Sequence, residues 1–286
     1  RLAHQLTHQL THQLTHQLKI RPDMRIASFN VNSLRVRLHQ LQTLIDSHSP
    51  DIIGLQETKV TDADFPLEAI NAMGYHAVFH GQKSHHGVAL LSRQPALNPV
   101  CGFSTDDDES QRRFVSGQFA LADGRLLTVM NGYFPQGENR AHATKFPNKR
   151  DFYAHLTELL ARHYDPEQPL VLMGDMNIAP TDLDIGIGAP NAKRWLREGK
   201  CCFLPEEREW LLQLLNWGMV DTYRKLKPFA NDTYSWFDYR SRGFEAEPKR
   251  GLRIDLILAS KGLAPATIDA GIDYEVRGME KPSDHC

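Results

Sequence analysis

Apolar and polar positions change rhythm at Met24. Before it, residues 2–18 repeat the tetrad H-Q-L-T, with Leu2, Leu6, Leu10, Leu14 and Leu18 four apart and His4, His8, His12 and His16 beside them. Leucines at that spacing would stripe one helix face, and histidines at i, i+4 can hold a metal. The same repeat is also the mark of a low-complexity leader, and residues 1–23 are read as one, ahead of a domain over 24–286.

From Met24 onward, short apolar runs alternate with helical spacing. RIASFNVN and DIIGLQET read as buried strands, and HAVFH, GVALLS, RFVSGQFAL, LLTVMNGYF, PLVLMGDMN, YSWFD and LRIDLILAS as further ones. Leu34, Leu38, Leu41 and Ile45 share one helix face that stops before Pro50. A second helix carries Phe152, Leu156, Leu159 and Leu160. A third opens at Pro205 with Glu206 and Glu207 in its first turn, buries Trp210, Leu211, Leu214 and Leu215, and ends before Gly218. Strands outnumber helices, and some are joined by turns as tight as Ala122-Asp123-Gly124. The pattern predicts an α/β domain of mixed sheets with helices on the outer faces.

Composition narrows the partners. Of 286 residues, 41% are apolar, enough for a core that needs no disulfide staples. With 33 basic and 35 acidic side chains the net charge is −2, which excludes a strongly cationic coat protein and a polyacidic tail protein. A polyanionic substrate stays open, because a catalyst needs positive potential only where that substrate lies. Cys101, Cys201, Cys202 and Cys286 form neither a disulfide framework nor a zinc knuckle. The apolar runs fall far short of the roughly 20 residues that span a bilayer, and the first residues lack a signal-peptide core. A reducing, cytoplasmic setting with no membrane partner is the expectation.

Candidate chemistry lies where polar residues follow strands. Asn30 and Asn32 end the first strand and Gln56-Glu57 the second. Tyr133 follows LLTVMNG, Asp175 and Asn177 follow PLVLMG, and Ser283-Asp284-His285 lies at the end of the chain. Acids gathered at one rim repel one another without a cation, and ligation by carboxylates and amides suits Mg²⁺ or Mn²⁺ better than zinc. Each element alone has a plainer reading as a turn residue. Asp255, inside LRIDLIL, needs a partner if buried. That partner is a backbone amide or Arg253 on one reading, and His285, whose tautomer it would hold, on the other.

SFNVNSLR, GLQETK, NGYFPQG, GDMNIAPTDLDIG, SWFDYRS, GLRIDLIL and EKPSDH, in this order, resemble the bacterial exonuclease III branch of the endonuclease/exonuclease/phosphatase superfamily, which also includes deoxyribonuclease I. The resemblance runs from Met24 to the last residue. It implies a four-layer α/β sandwich, two face-to-face mixed β-sheets flanked by helices. It also implies Mg²⁺-dependent hydrolysis of phosphodiesters, with Mn²⁺ as a substitute: 3′→5′ exonuclease action on double-stranded DNA, incision 5′ of abasic sites and removal of 3′-blocking groups. On this chain Glu57 would be the principal metal ligand, with Asn30, Asp284 and Asn32 around the ion and Asp175, Asn177 and His285 counted in the same metal-site set. Asp175 would orient or deprotonate water, and Asn177 would hold that water or a phosphate oxygen. His285, backed by Asp255, would donate to the phosphate, act as base or ligate a second metal, and Tyr133 would add a phosphate contact.

The resemblance also gives weight to Arg113, Gln136, Lys145 and Trp236 as DNA contacts. Arg240 and other basic residues (Arg112, Lys149-Arg150, Lys193-Arg194, Arg242) are candidate phosphate contacts. Trp236 with Leu252 and Ile254 would form an apolar pocket for a baseless sugar. The chain departs from the family in two ways. The leader has no counterpart, and the chain stops one residue after His285, where the family continues into a closing strand. Without that strand a sheet would lack a partner and His285 would sit on a fraying end, so the chain as it stands is expected to be a poor enzyme. A monomer is expected. A relative acting on lipid, inositol or RNA phosphodiesters, and a binding module that has lost its chemistry, are the alternatives.

Overall fold

Uninterrupted Val, Ile, Leu and Phe favour a pleated surface covered on both faces. The computed structural model describes residues 23–286 and holds ten strands in two sheets, the inner ones of this kind. One sheet runs β1 (Ile26–Asn30), β2 (Ile52–Gln56), β4 (Val88–Ser92), β3 (His76–His80), with β1 and β2 parallel and the other pairs antiparallel. The other runs β5 (Leu97–Cys101), β6 (Phe114–Ala120), β7 (Leu126–Tyr133), β8 (Leu170–Asp175), β10 (Asp255–Ser260), β9 (Met219–Asp221), with β7 and β8 parallel. A parallel pair needs a long crossover. Helix α1 (Leu38–His48) supplies it between β1 and β2. After the short α2 (Leu67–Ala72), α3 (Lys145–His163) does the same between β7 and β8.

Period-two alternation sorts side chains into layers. Ile52, Val88 and Leu90 meet Val115, Val129, Val171 and Met173 between the sheets. Their neighbours Ile53, Leu55, Ala89 and Leu91 face outward onto Leu41, Leu44, Ile45 and Ile70 of α1 and α2. On the far side Leu170, Leu172, Leu256 and Leu258 pack on Phe152, Leu156 and Leu160 of α3 and on Leu211 and Leu214 of α5 (Pro205–Trp217), which follows α4 (Ala189–Glu198). This is the expected four-layer α/β sandwich. Asn131 of β7 crosses between the sheets: its Nδ2 donates to Leu55 O and Ala89 O, each at 2.9 Å, and its Oδ1 accepts from Gln56 Nε2 at 2.6 Å. Gly54 leaves it room, since a Cβ there would stand 2.7 Å from Asn131 Oδ1.

Several local expectations differ. Leu34 is buried ahead of α1 rather than within it. YSWFD joins no sheet and makes isolated bridges from Trp236 to Leu252 and His285, and β10 begins only at Asp255. Edge strand β5 is exposed throughout and carries Pro99, so it lacks the apolar signature of a covered strand. Short helices α6 (Thr222–Leu226) and α7 (Tyr274–Arg277) complete the set. His285 is not on a fraying end. It is 4% exposed, its N–H donates to Ser283 Oγ, and the next residue donates to Ser235 O at 2.8 Å. The H-Q-L-T repeat lies outside the described residues.

A buried ionic cluster ties the loop before α4 to the approach to β10. Arg253, 1% exposed, reaches Asp184 Oδ1 and Asp221 Oδ2, both at 2.6 Å, and Arg224 meets Asp184 Oδ1 at 2.5 Å. Burial alone would raise the Asp184 carboxyl, but Arg253, Thr181 and Arg224 hold it below its ordinary 3.8. A depressed folded-state pKa gives stability that is fully present above the ordinary value and is lost as pH falls through the folded one. Asp184→Asn should therefore cost about 1.5–3 kcal/mol near neutral pH, because it leaves Arg253 with Asp221 as its remaining carboxylate partner and takes that of Arg224. The gap to wild type should narrow below about pH 4. Urea denaturation at both pH values checks this, and equal stability at neutral pH would count against it.

Candidate active site

The register of the second sheet sets three polar residues side by side. Tyr133 at the end of β7 pairs with Asp175 at the end of β8, which pairs with Asp255 at the start of β10. In the facing sheet, Asn30 and Gln56 end the parallel strands β1 and β2 opposite each other. Both parallel pairs thus deliver their carboxyl ends to one rim, where α/β sheets commonly bind ligands. Beyond the strand ends the chain turns through the left-handed region at Asn32, Glu57, Lys59 and Asn177, with φ of 42, 53, 55 and 52°. Such conformations are costly for residues other than glycine, and they aim these side chains at the rim.

The side chains converge. Asn30 Nδ2 donates to Glu57 Oε1 and to Asp175 Oδ2, each at 3.0 Å, joining an acid from each sheet. Ligand atoms of Glu57, Asp175 and His285 all lie within 4.8 Å of one another. His285 Nδ1 rests 2.9 Å from Asp255 Oδ2, which leaves Nε2 facing Asp175 Oδ2 at 3.7 Å. Lys59 Nζ is 2.9 Å from Glu57 Oε2 and donates to Asn32 Oδ1 at 2.6 Å. Burial works against the charge on Glu57, but Lys59 and Asn30 outweigh it and bring the carboxyl down to about 2. Asp175 goes the other way, up to about 7, chiefly through burial and then through Asp255 and Glu57 against the opposing pull of His285. Burial would lower the His285 imidazole, yet Asp255 and Asp175 raise it to about 10.

Residues 27–285 match the model of the Endonuclease/Exonuclease/phosphatase family. The chain belongs to that family. It is 55% identical to exodeoxyribonuclease III of Haemophilus influenzae over 92% of this chain and 97% of the relative. It is 31% identical to the DNA repair nuclease APEX1 of Danio rerio, covering 92% and 80% of the two chains. Among solved structures, it superposes with a TM-score of 0.81 on an AP endonuclease from Archaeoglobus fulgidus, 34% identical, over 92% of this chain and 96% of that one. A 3′ phosphatase from Neisseria solved with product DNA hairpin gives 0.80 at 38% identity and the same coverage.

Members of this family are metal-dependent, and the residues here fit a divalent cation. Two carboxylates, an imidazole and the Asn30 amide crowd one largely buried site, an oxygen-rich donor set of the kind such an ion takes. Asp284, expected among the ligands, stands beside that group: its oxygens accept from Asn32 Nδ2 at 2.9 Å and Trp236 Nε1 at 3.1 Å. Asn177 donates its N–H to Asp175 Oδ1 and its Nδ2 to Phe134 O, both at 3.0 Å, while Cys202 Sγ lies 3.8 Å from its Oδ1.

The basic residues divide by burial. Arg113 is engaged within the fold. It is 9% exposed, donates to Tyr133 O at 3.0 Å and lies 4.5 Å beneath the Tyr133 ring, so it supports that tyrosine. Lys149 is fully buried against Glu207. Gln136 and Arg240 are exposed, as is Lys145, which pairs with Glu138. Leu252 and Ile254 are closed to solvent and pack in one cluster with the partly buried Trp236. Sequence reasoning missed Lys59, inside GLQETK, and Ser235, whose Oγ accepts the Ile254 and Asp255 N–H groups at 3.0 Å. A basic residue two after an acid at a strand end was the available signal for Lys59. Glu57→Gln should weaken Mn²⁺ binding at least about tenfold in calorimetric titration. Unchanged affinity would remove Glu57 from the ligand set.

Proposed function

We propose that this chain is a DNA repair nuclease, a hydrolase of the exodeoxyribonuclease III and AP endonuclease kind, working at one acidic centre in a catalytic domain over 24–286. The observation that carries this reading is the convergence of Glu57, Asp175 and His285 within 4.8 Å at a rim fed by both sheets. The substrates inferred are double-stranded DNA 3′ ends, digested 3′→5′, abasic sites, incised on the 5′ side, and 3′-blocking groups. Mg²⁺, with Mn²⁺ able to replace it, would be held by Glu57 with Asn30, Asp175 and Asp284 around it, and when bound it supplies Lewis acidity and a lowered water pKa.

The chain's own groups supply the rest. Asp175, raised toward neutrality, accepts the proton of the attacking water, and the Asn177 N–H and Asn30 Nδ2 fix the orientation of its two oxygens. His285 keeps its proton through Asp255 and offers Nε2 as donor to the phosphate oxygen where charge builds. Tyr133 stays protonated, since burial and Glu57 raise its phenol, and adds a second donor above the Arg113 guanidinium. Outside the centre, the exposure of Gln136, Lys145 and Arg240 supports a role for them as backbone contacts, and Trp236 is assigned as the wall that meets an abasic sugar. No helix among the described residues is long and apolar enough to cross a membrane. A monomer acting in the cytoplasm, with residues 1–23 as a leader outside the domain, completes the proposal.

A duplex bearing one synthetic abasic site should be cut in Mg²⁺ and left intact in EDTA. Asp175→Asn should lower kcat about 10²–10⁴-fold while DNA affinity stays within about threefold. An intact duplex in Mg²⁺ alongside turnover of a lipid or inositol phosphodiester would reassign the substrate. Asp255→Asn should also lose at least about tenfold in kcat as His285 loses its orienting partner. Full activity in that variant would take His285 out of the donor role.

A further inference from the structure

Lys149 has no exposed atom to offer DNA, and a buried ammonium is costly unless something fixed needs it. Its three protons have three acceptors: Glu207 Oε1 at 2.5 Å, Asn177 O at 2.8 Å and Gln136 O at 3.2 Å. Glu207 is itself anchored, because its other oxygen accepts the Leu204 N–H at 2.8 Å at the start of α5. One turn further along α3, Tyr153 donates its hydroxyl to Met176 O at 2.7 Å, also fully buried. Residues four apart share a helix face, so α3 grips two successive carbonyls of the turn that follows Asp175. The 136–138 loop presses on the same lysine. Gly137 has φ of 86°, and a Cβ there would stand 3.1 Å from Lys149 Cδ. Cys202 Sγ lies 3.8 Å from both Gln136 Nε2 and Asn177 Oδ1, closing the space between the two loops.

We propose that Lys149 and Tyr153 are positioning residues, a buried clamp on α3 that holds the Asp175–Asn177 turn and the Gln136 loop in register for catalysis; the inference rests on the nuclease reading above. The turn needs external support because Asn177 sits in the left-handed region, with φ of 52°. The connection to chemistry is short: the same Asn177 that gives its carbonyl to Lys149 gives its N–H to Asp175 Oδ1. The Asn177 N–H shares its peptide plane with Met176 O, which Tyr153 holds, and Lys149 holds the next plane through Asn177 O. Releasing these carbonyls frees the backbone on either side of Asn177, and the carboxylate loses a donor that aims it. A lysine serving packing alone would be replaceable by methionine without kinetic consequence.

The test uses the full chain with the K149M/E207Q and Y153F variants. The first removes both charges together and keeps an acceptor for the Leu204 N–H. Its kcat on an abasic-site duplex should fall roughly 10–100-fold, with KM and Mn²⁺ affinity within about threefold. Hydrogen exchange by mass spectrometry should speed up in the 134–138 and 175–179 segments while the melting temperature stays near wild type. K149R should recover part of the lost kcat. A folded K149M/E207Q with wild-type kcat and wild-type exchange overturns the clamp. If that variant does not fold, Y153F decides, since it deletes one hydroxyl beneath an intact ring. A kcat loss of about threefold or more with faster exchange at 175–179 supports the clamp, and wild-type values for both refute it. Absence of nuclease activity in the wild type would refute the nuclease reading alone, leaving the exchange measurement to judge the clamp.

Discussion

Negative charge brought to one largely buried rim by two independent sheets is the constraint around which this molecule is organised. Glu57 arrives from one sheet and Asp175 from the other, and the Asn30 amide stands 3.0 Å from each. Like charges at such separations in a poorly solvated site raise one another's pKa or demand a counter-charge. The fold answers unevenly. Lys59 keeps Glu57 ionised, while Asp175, buried beside Asp255 and Glu57, is raised toward neutrality against the pull of His285. Two carboxylates of similar intrinsic chemistry thereby acquire different tasks, one suited to holding a cation and the other to handling a proton.

Such an arrangement works only if the sheets cannot slide, and the layer between them contains devices that fix their relation. Asn131 donates into two backbone carbonyls of the opposite sheet, and Gln56 returns a hydrogen bond to it. At the other end of the site, the guanidinium of Arg37 binds the carbonyls of Val31, Asn32 and Pro282, and Gln40 binds those of Glu280 and Lys281. These contacts bind the first strand's exit to the segment carrying Asp284 and His285, residues far apart in the chain. Buried polar groups of this kind are tolerated because their partners are backbone oxygens that would otherwise go unpaired.

Much of this was legible in the sequence where a structural fact leaves a local trace. The interior strands appear as apolar runs, and the rim residues appear as polar positions directly after them. β5 was not legible because an exposed edge carrying Asn98 and Pro99 has no apolar run, and β9 because three residues are too few to show a period. Charge was legible but burial was not. Arg113 and Lys149 look like surface cations in one dimension, and only the folded layers reveal that one lies beneath Tyr133 and the other against Glu207. Leu252 and Ile254 illustrate the same limit for apolar residues, since their type fits both a pocket wall and the packing behind it.

The left-handed turns at Asn32, Glu57, Lys59 and Asn177 bear on how this protein can be altered. Glycine would relax each of them and remove a cost of order 1–3 kcal/mol apiece, so selection for heat resistance alone would favour replacing the groups that line the rim. Libraries enriched only by melting point would drift toward robust, silent folds. Thermal hardening that preserves turnover has to come from elsewhere, on the solvent faces of the outer helices, away from the left-handed positions at the rim.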